Sequence, residues 1–408
     1  MRPMARFPAL LREAHAASGL SYRQLGDAAF VSRSHVHNIA TGKRVPDRRF
    51  AEAVDIALGA DGRLVAAFEA DEAERLEEAA TRKTLAASLA ASRDLIDLAE
   101  MDLDQIHAGV AETAVDYLST APGPMLHRTN ALRTDVLGRL RDHRHGVNER
   151  KDLLVAAGRL SGVLAYAALD LGDPHAALEH ARAGARCAQA AGDLELLMWV
   201  RGTQSLIARF NGDYGVALDY VRDGLQYAGE VPGTGKARLL SGEAQCLANL
   251  GDSVGANRTL DAAERAHEAV RQPDSLAGLF EFSHTKRLYY SGSSLIWLEG
   301  GADAQRAERD ALAAITSWQQ MPPEQRSLDD ERLAHVYVAT ARVQLGDIEG
   351  AAEVMRPILT LPPEAQISWI NKRAGRVASM LSAPEYATST AATELRDAIT
   401  GLEEAPAR

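Results

Sequence analysis

The sequence predicts an all-α protein: a small N-terminal domain of about five helices, followed by an α-solenoid built from helix hairpins. Three observations predict it. Apolar residues recur at helical spacing along most of the chain, while the alternating pattern of strands is missing. Candidate helices in the first 70 residues carry capping residues at both ends. A Gly-Asp phrase recurs four times between residues 150 and 360, the first three times at near-constant intervals.

Composition bounds the class. At 408 residues, with 46% hydrophobic and 25% charged residues, the chain can bury more than one ordinary core, and bulk disorder is not expected. No run of about 18 apolar residues and no signal-peptide pattern is present, so no membrane partner and a cytoplasmic location are expected. Cys187 and Cys246 stand singly in Ala-rich helical sequence and read as core residues; two cysteines cannot make a four-cysteine zinc site. Neither a metal nor a cofactor is expected.

Charge is unevenly spread. The first 50 residues hold nine Lys and Arg against Glu13, Asp27 and Asp47, a net of +6, which leaves −17 for the rest of a chain whose net charge is −11. A basic head on an acidic body can bind a polyanion through one face while the body repels it.

Four helices are predicted in the head: one ending at Gly19, one starting at Ser21, one from Ser32 to Gly42 and one ending at Gly59. Ser21 and Ser32 suit the N-cap, and the glycines suit left-handed closure. A fifth helix, from "GRLVAAFEADEAERL", completes the domain and runs on as a charged linker. On the third helix, at about 100° per residue, Arg33, Ser34, His37, Asn38 and Thr41 share one arc, opposite Val36 and Ile39. Solvated faces usually carry Glu and Lys. Here Arg33 suits a bidentate contact to guanine, Asn38 suits adenine, and His37 suits a base N7 or a phosphate. Tyr22, Arg23 and Gln24 open the second helix, whose N-terminus favours phosphate, and Lys43, Arg44, Arg48 and Arg49 add positive charge. His35 is expected beside the buried face, packed near the first helices.

Through Leu20, Leu25, Val31, Ser32, Ser34, Val36, Ile39, Gly42, Lys43 and Pro46, residues 5 to 70 resemble the XRE type of bacterial helix-turn-helix regulator, related to the phage repressors. The resemblance implies that Ser32 starts the recognition helix, that Arg33, Ser34 and His37 face bases, and that Tyr22 to Gln24 clamp the backbone. The sequence departs from the pattern at Ala40 and at Phe30, which stands where the inter-helix turn commonly has a small residue; Phe30 is expected to pack against the first helix.

The body repeats itself in "DLGDPHAALEHARAG", "FNGDYGVALDYVRDG", "NLGDSVGANRTLDAA" and "QLGDIEGAAEVMRPI". A small residue follows each glycine by five (Ala177, Ala217, Ala256, Ala351), and apolar or small residues follow at helical spacing. Small residues let paired helices approach, and Gly-Asp supplies the turn between them. A degenerate unit around residues 299–314 fills the gap before Gly346. The phrase resembles the tetratricopeptide repeat, although Gly172, Gly212 and Gly251 lie 40 and 39 residues apart, beyond the usual ~34. Loops or helices longer than usual are therefore expected between hairpins. Stacked hairpins form a concave groove lined by first helices, suited to an extended ligand. Counting back from each Gly-Asp places Arg159, Tyr166, Asp170, Trp199, Arg209, Arg238, Gln245 and Asn249 as candidate lining residues.

Residues 71–150 are expected to form a linker helix and irregular first hairpins. Leu85, Leu89, Leu95, Ile96, Leu98, Leu103, Ile106 and Val110 continue an apolar helical pattern up to "STAPGPM". His143 and His145 read as an exposed turn. The domains are thus 1–70 (DNA-binding), 71–150 (linker and irregular hairpins) and 151–408 (repeat sensor and dimerisation).

Enzymatic signatures fail. "EVPGTGKARL" has Glu230 where a phosphate loop needs Gly and Ala237 where it needs Ser or Thr. No nucleophile elbow and no His-Glu-x-x-His is present, and no enzyme is expected. In order of parts the chain resembles bacterial regulators that join a helix-turn-helix to tetratricopeptide-like repeats, among them quorum-sensing regulators that bind peptides, and the repeat-bearing regulators of actinobacteria. That resemblance implies a homodimeric DNA-binding transcriptional regulator on a palindromic double-stranded operator, switched by a signal peptide or small molecule. The alternative is an interaction scaffold whose groove takes a protein partner and whose head only docks.

Overall fold

A computed structural model describes residues 6–94, 103–141, 146–362 and 367–404. Among them every regular element is helical and none is a strand. Leu95, Ile96, Leu98, His143 and His145 of the expectations above lie outside the described residues. The chain divides into two compact units, the first ending at Lys83 and the second running from Thr84 to Leu402.

The first unit contains α1 (Arg6–Ser18), α2 (Tyr22–Ala28), α3 (Arg33–Ala40), α4 (Arg48–Leu58) and the beginning of α5 (Arg63–Asp94). Its boundaries follow local chemistry. Ser21 and Gln24 form a reciprocal capping box at α2, Ser32 caps α3 and Asp47 caps α4. Gly19, Gly42 and Gly59 all take the left-handed closing conformation. Two carboxylates satisfy helix starts from a distance: Asp71 accepts from Arg6 and Phe7 N–H, and Asp55 from Gly62 and Leu64 N–H. The core collects Phe7, Leu11, Leu25, Val36, Ile39 and Phe50, all at most 2% exposed.

One expectation is corrected in this unit. Phe30 does not pack against α1; it is 96% exposed and holds φ +56°. A tight α2–α3 turn needs a left-handed residue at this position, and that backbone carries the side chain away from the core. His35 is half-buried as expected, and its ring lies against Phe50 of α4, with centroids 5.9 Å apart, a partner the sequence did not indicate.

The second unit opens with α6 (Leu103–Asp116) and α7 (Pro122–Leu140), the latter absorbing "PGPM", with Pro122 in the first turn where its missing N–H costs nothing. Five hairpins follow: α8 (Val147–Asp170) with α9 (Pro174–Ala191), α10 (Leu194–Asn211) with α11 (Tyr214–Leu225), α12 (Gly235–Asn249) with α13 (Ser253–Glu268), α14 (His284–Leu295) with α15 (Gly301–Gln319), and α16 (Leu328–Gln344) with α17 (Ile348–Leu359). α18 (Ser368–Leu381) and α19 (Thr390–Glu404) end the described chain.

The repeated phrase works as its chemistry implies. Gly172, Gly212, Gly251 and Gly346 turn with positive φ, and the aspartates after Gly172, Gly251 and Gly346 cap the second helix of their hairpin. Ala177, Ala217, Ala256 and Ala351 are fully buried between the paired helices. Gly192 and Asp193 use the same device between hairpins, closing α9 and capping α10. The degenerate fourth unit is the α14–α15 hairpin, turned by Gly300 without an aspartate beside it. The extended period has two sources: helices of 18 residues each, α9 and α10, between Gly172 and Gly212, and long connections before α12, α14 and α16 further on. Cys187 and Cys246 are buried and unbridged.

Among the described residues one helix, α8, is long and apolar enough by composition to cross a membrane, and 78% of its apolar window is buried inside the protein.

The hairpin array is not an open trough. α18 lies against the ends of earlier first helices: Ser368 Oγ donates to Leu169 O, Lys372 Nζ to Phe210 O and Arg376 to Ile296 O. On another side Leu328 N–H, at the start of α16, donates to Leu118 O just past α6, and Gly278 sits against Ala114 backbone so closely that a Cβ there would collide with it.

Candidate functional site

Two sites emerge, one in each unit. In the first, α3 presents Arg33, Ser34, His37 and Thr41 to solvent while Val36, Ile39 and Ala40 are buried; Asn38 is half-buried at the edge of the face. Arg33 has no ion pair among the described residues. Ser34 Oγ lies 2.9 Å from the capping Ser32 Oγ, and the Thr41 hydroxyl donates to His37 O at 2.8 Å, so both are held by their own helix. Tyr22 stacks on His15 at 4.2 Å and meets His37 edge-on at 6.0 Å, which supports one side of the exposed face. Gln24 uses its amide oxygen in the capping box, Arg23 is exposed, and Lys43 and Arg44 extend past α3 in solvent.

Arg48 is the exception among the expected phosphate-binding groups. Its guanidinium bonds Glu52 at 3.1 Å and also Glu69, and these carboxylates, Glu52 first, hold its pKa above the ordinary arginine value. Its charge is thus matched within the protein, and Lys43, Arg44 and Arg49 remain the exposed unpaired cations of this edge among the described residues.

Gly26 decides how α2 meets α3. It is buried in the middle of α2, and a Cβ built there would lie 2.6 Å from Val31 O. Only hydrogen fits between the two helices at their crossing.

The second site is a chamber of about 90 Å³ among the first helices of the hairpins, partly open to solvent on the side of Glu281. Its wall draws on the first helix of every hairpin. Of the eight predicted groove residues, Tyr166, Asp170, Arg209, Arg238 and Gln245 line it. The other three are corrected. Arg159 bonds Ser275 Oγ at 2.6 Å away from the chamber, and Asn249 folds back to Gln245 O. Trp199 is a buried support: it stacks on Phe280 at 4.3 Å, lies 4.8 Å beneath the Arg238 guanidinium, and donates to Leu279 O. Arg238 in turn bonds Trp199 O, Tyr166 Oη and Thr203 Oγ1, a position open to it because Gly202 has no side chain.

The opposite wall was missed. Tyr289, Tyr290 and Tyr337 form an aromatic panel with neighbouring centroids 5.4–5.6 Å apart. Asp329 and Asp330 come from the start of α16, Tyr117 from just past α6, and Arg373 from α18. The degenerate fourth repeat lacks the Gly-Asp anchor from which the other lining positions were counted; its Tyr289-Tyr290 pair was the available signal. In place of a trough for an extended ligand, α18 and the α6 end bridge the array and leave a partly open chamber.

Asp170 accepts a hydrogen bond from Tyr117, yet its carboxyl is held well above the usual range, first by burial and then by repulsion from Asp329. The native state therefore retains a proton that the unfolded chain has released. Stability from this source is complete below the unfolded carboxyl pKa and is lost as pH rises through the native value. Relative to the wild type, Asp170→Asn is expected to gain melting temperature steadily as pH rises above the unfolded carboxyl value, until the native carboxyl itself ionises. Parallel pH profiles for the two proteins would contradict this.

Residues 6–68 match a family model described as a helix-turn-helix domain. Comparison with curated proteins finds no match. The first unit is thus a helix-turn-helix domain, and such a domain points to DNA-binding regulation. The match covers α1 to the part of α5 that closes the first unit and leaves the hairpin array outside it.

Proposed function

We propose that the chain is an XRE-type transcriptional regulator that binds a palindromic operator as a homodimer, with α3 in the major groove. We read the hairpin array as a tetratricopeptide-like sensor whose effector sits in the chamber. One observation carries the DNA reading: the matched domain exposes Arg33, Ser34 and His37 together on the helix that follows its turn, with no acidic residue in that helix. The bridging of the array favours a compact effector over an extended peptide. Such an effector changes operator affinity only to the extent that it prefers one arrangement of the protein, and operator and effector must then influence each other reciprocally.

Genome-wide mapping of bound DNA followed by gel shifts on the recovered sites tests the reading. Arg33→Ala is expected to weaken specific binding by about 1–3 kcal/mol, roughly 5- to 150-fold, and to relax preference at one base position. Lys43→Ala and Arg44→Ala should weaken all sequences alike and flatten the salt dependence. Arg48→Ala should do neither, given its pairing with Glu52 and Glu69. Uniform loss in Arg33→Ala, with base preference intact, would remove α3 from the reading role.

A further inference from the structure

The chamber's charges do not match one another. Arg209 and Arg373 line it, are 4% and 7% exposed, and have no carboxylate partner among the described residues; the Nε of each is buried without a hydrogen-bond acceptor. The chamber's acids do not answer them: Glu281, at the solvent-exposed side of the lining, makes no ion pair with either. Asp329 is bonded by Arg332 at 2.7 Å, Asp330 by Ser327 at 2.7 Å, and Asp170 by Tyr117. Arg238 differs from the other two arginines, since its donors are already spent on Trp199 O, Tyr166 and Thr203.

A buried guanidinium without an acceptor is costly, and folded proteins normally pair such groups or reserve them for a ligand. Aromatic rings hold both arginines in place. Arg373 lies over Trp297 at 4.8 Å and Trp369 at 5.0 Å, and Arg209 lies over Tyr290 at 5.7 Å. Rings attract the guanidinium face and leave its N–H edge for an anion, the geometry that suits a carboxylate. The same chamber is lined by Tyr289, Tyr290 and Tyr337, whose rings stand at 71° and 39° to one another, an aromatic lining whose edges and faces suit an aromatic ring. A volume of about 90 Å³ suits a compact ligand better than a long chain.

Resting on the reading of the chamber as an effector site, we infer that Arg209 and Arg373 supply an anion seat and that the ligand is a compact organic carboxylate with a flat, apolar body. Asp329 and Asp330 set its orientation, because they repel the carboxylate from their end of the chamber, where protonated Asp170 adds no charge.

Calorimetry and thermal shift on the full chain, without DNA, test this with matched probes: benzoate, 4-hydroxybenzoate and phenylacetate against their primary amides. The expected result is binding by at least one acid in the range up to about 10 mM, with its amide about tenfold weaker or silent. Arg209→Gln should cost the acid about tenfold in affinity and leave the ligand-free melting temperature equal or higher, because an unpaired buried charge has been removed. Arg373→Gln should lose the acid similarly, and Arg209→Lys should keep part of it. Three results would each overturn the inference: no acid binds in that range, acid and amide bind equally, or Arg209→Gln melts lower in proportion to its lost affinity, which marks a packing role. Operator binding by ligand-free Arg209→Gln reports separately on the DNA reading, so failure of one leaves the other standing.

Discussion

Gly26→Ala is expected to cost the helix-turn-helix unit about 1–3 kcal/mol and to abolish specific DNA binding, although residue 26 faces no DNA. The added Cβ would meet Val31 O at 2.6 Å, and that atom belongs to backbone, so no rotamer change relieves the contact. Either α2 and α3 separate or the turn through Phe30 rearranges. Both outcomes disturb the capping contact of Ser32 and swing the Arg33–His37 face. Hydrogen exchange across residues 6–68 of the full chain measures the loss, with gel shifts in parallel. Phe30→Gly supplies the contrast at the same turn: it replaces an exposed left-handed phenylalanine by the residue that conformation suits, and should leave stability unchanged or raise it by up to about 1 kcal/mol. Equal exchange rates in wild type and Gly26→Ala would refute the tight crossing.

Trp199→Ala is expected to cost the second unit about 3–5 kcal/mol, the usual range for a large buried aromatic. The indole has several duties at once. It fills the notch that Gly162 leaves in α8, where a Cβ would lie 2.5 Å from the ring; it stacks on Phe280; it supports Arg238; and it donates to Leu279 O. Trp199→Phe keeps the stack but leaves the carbonyl without its donor, and should lose about 1–2 kcal/mol. Urea unfolding monitored by far-ultraviolet circular dichroism gives both values. A small loss in Trp199→Ala, within about 1 kcal/mol, would mean the chamber wall can collapse without it.

Much of the first unit was legible because its signals are local. Ser21, Ser32, Gly42 and Gly59 announce helix ends within a few residues, and the face of α3 follows from helical geometry alone. Phe30 was misplaced because residue type argued for burial while the turn demanded a backbone that points it outward. Arg48 was misjudged because one of its partners, Glu69, lies 21 positions away. In the body, counting back from Gly-Asp found Tyr166, Asp170, Arg209, Arg238 and Gln245, since each repeat fixes its own register. It could not find Arg373 or Tyr117, nor foresee that the trough is bridged. Those depend on contacts such as Ser368 to Leu169, 199 positions apart, which no local pattern encodes.

The bridging of the array by α18 changes how the second unit should tolerate change. An open repeat array is quasi-one-dimensional: units can be lost, added or frayed from an end with effects confined to neighbours. Here α18 ties the last hairpin to the ends of α8, α10 and α14, so both termini of the array share one set of contacts. Its repeats are consequently indivisible. Deleting or duplicating a single hairpin would break the register of every tie made by Ser368, Lys372 and Arg376, and the array would be inherited, folded and lost as one piece.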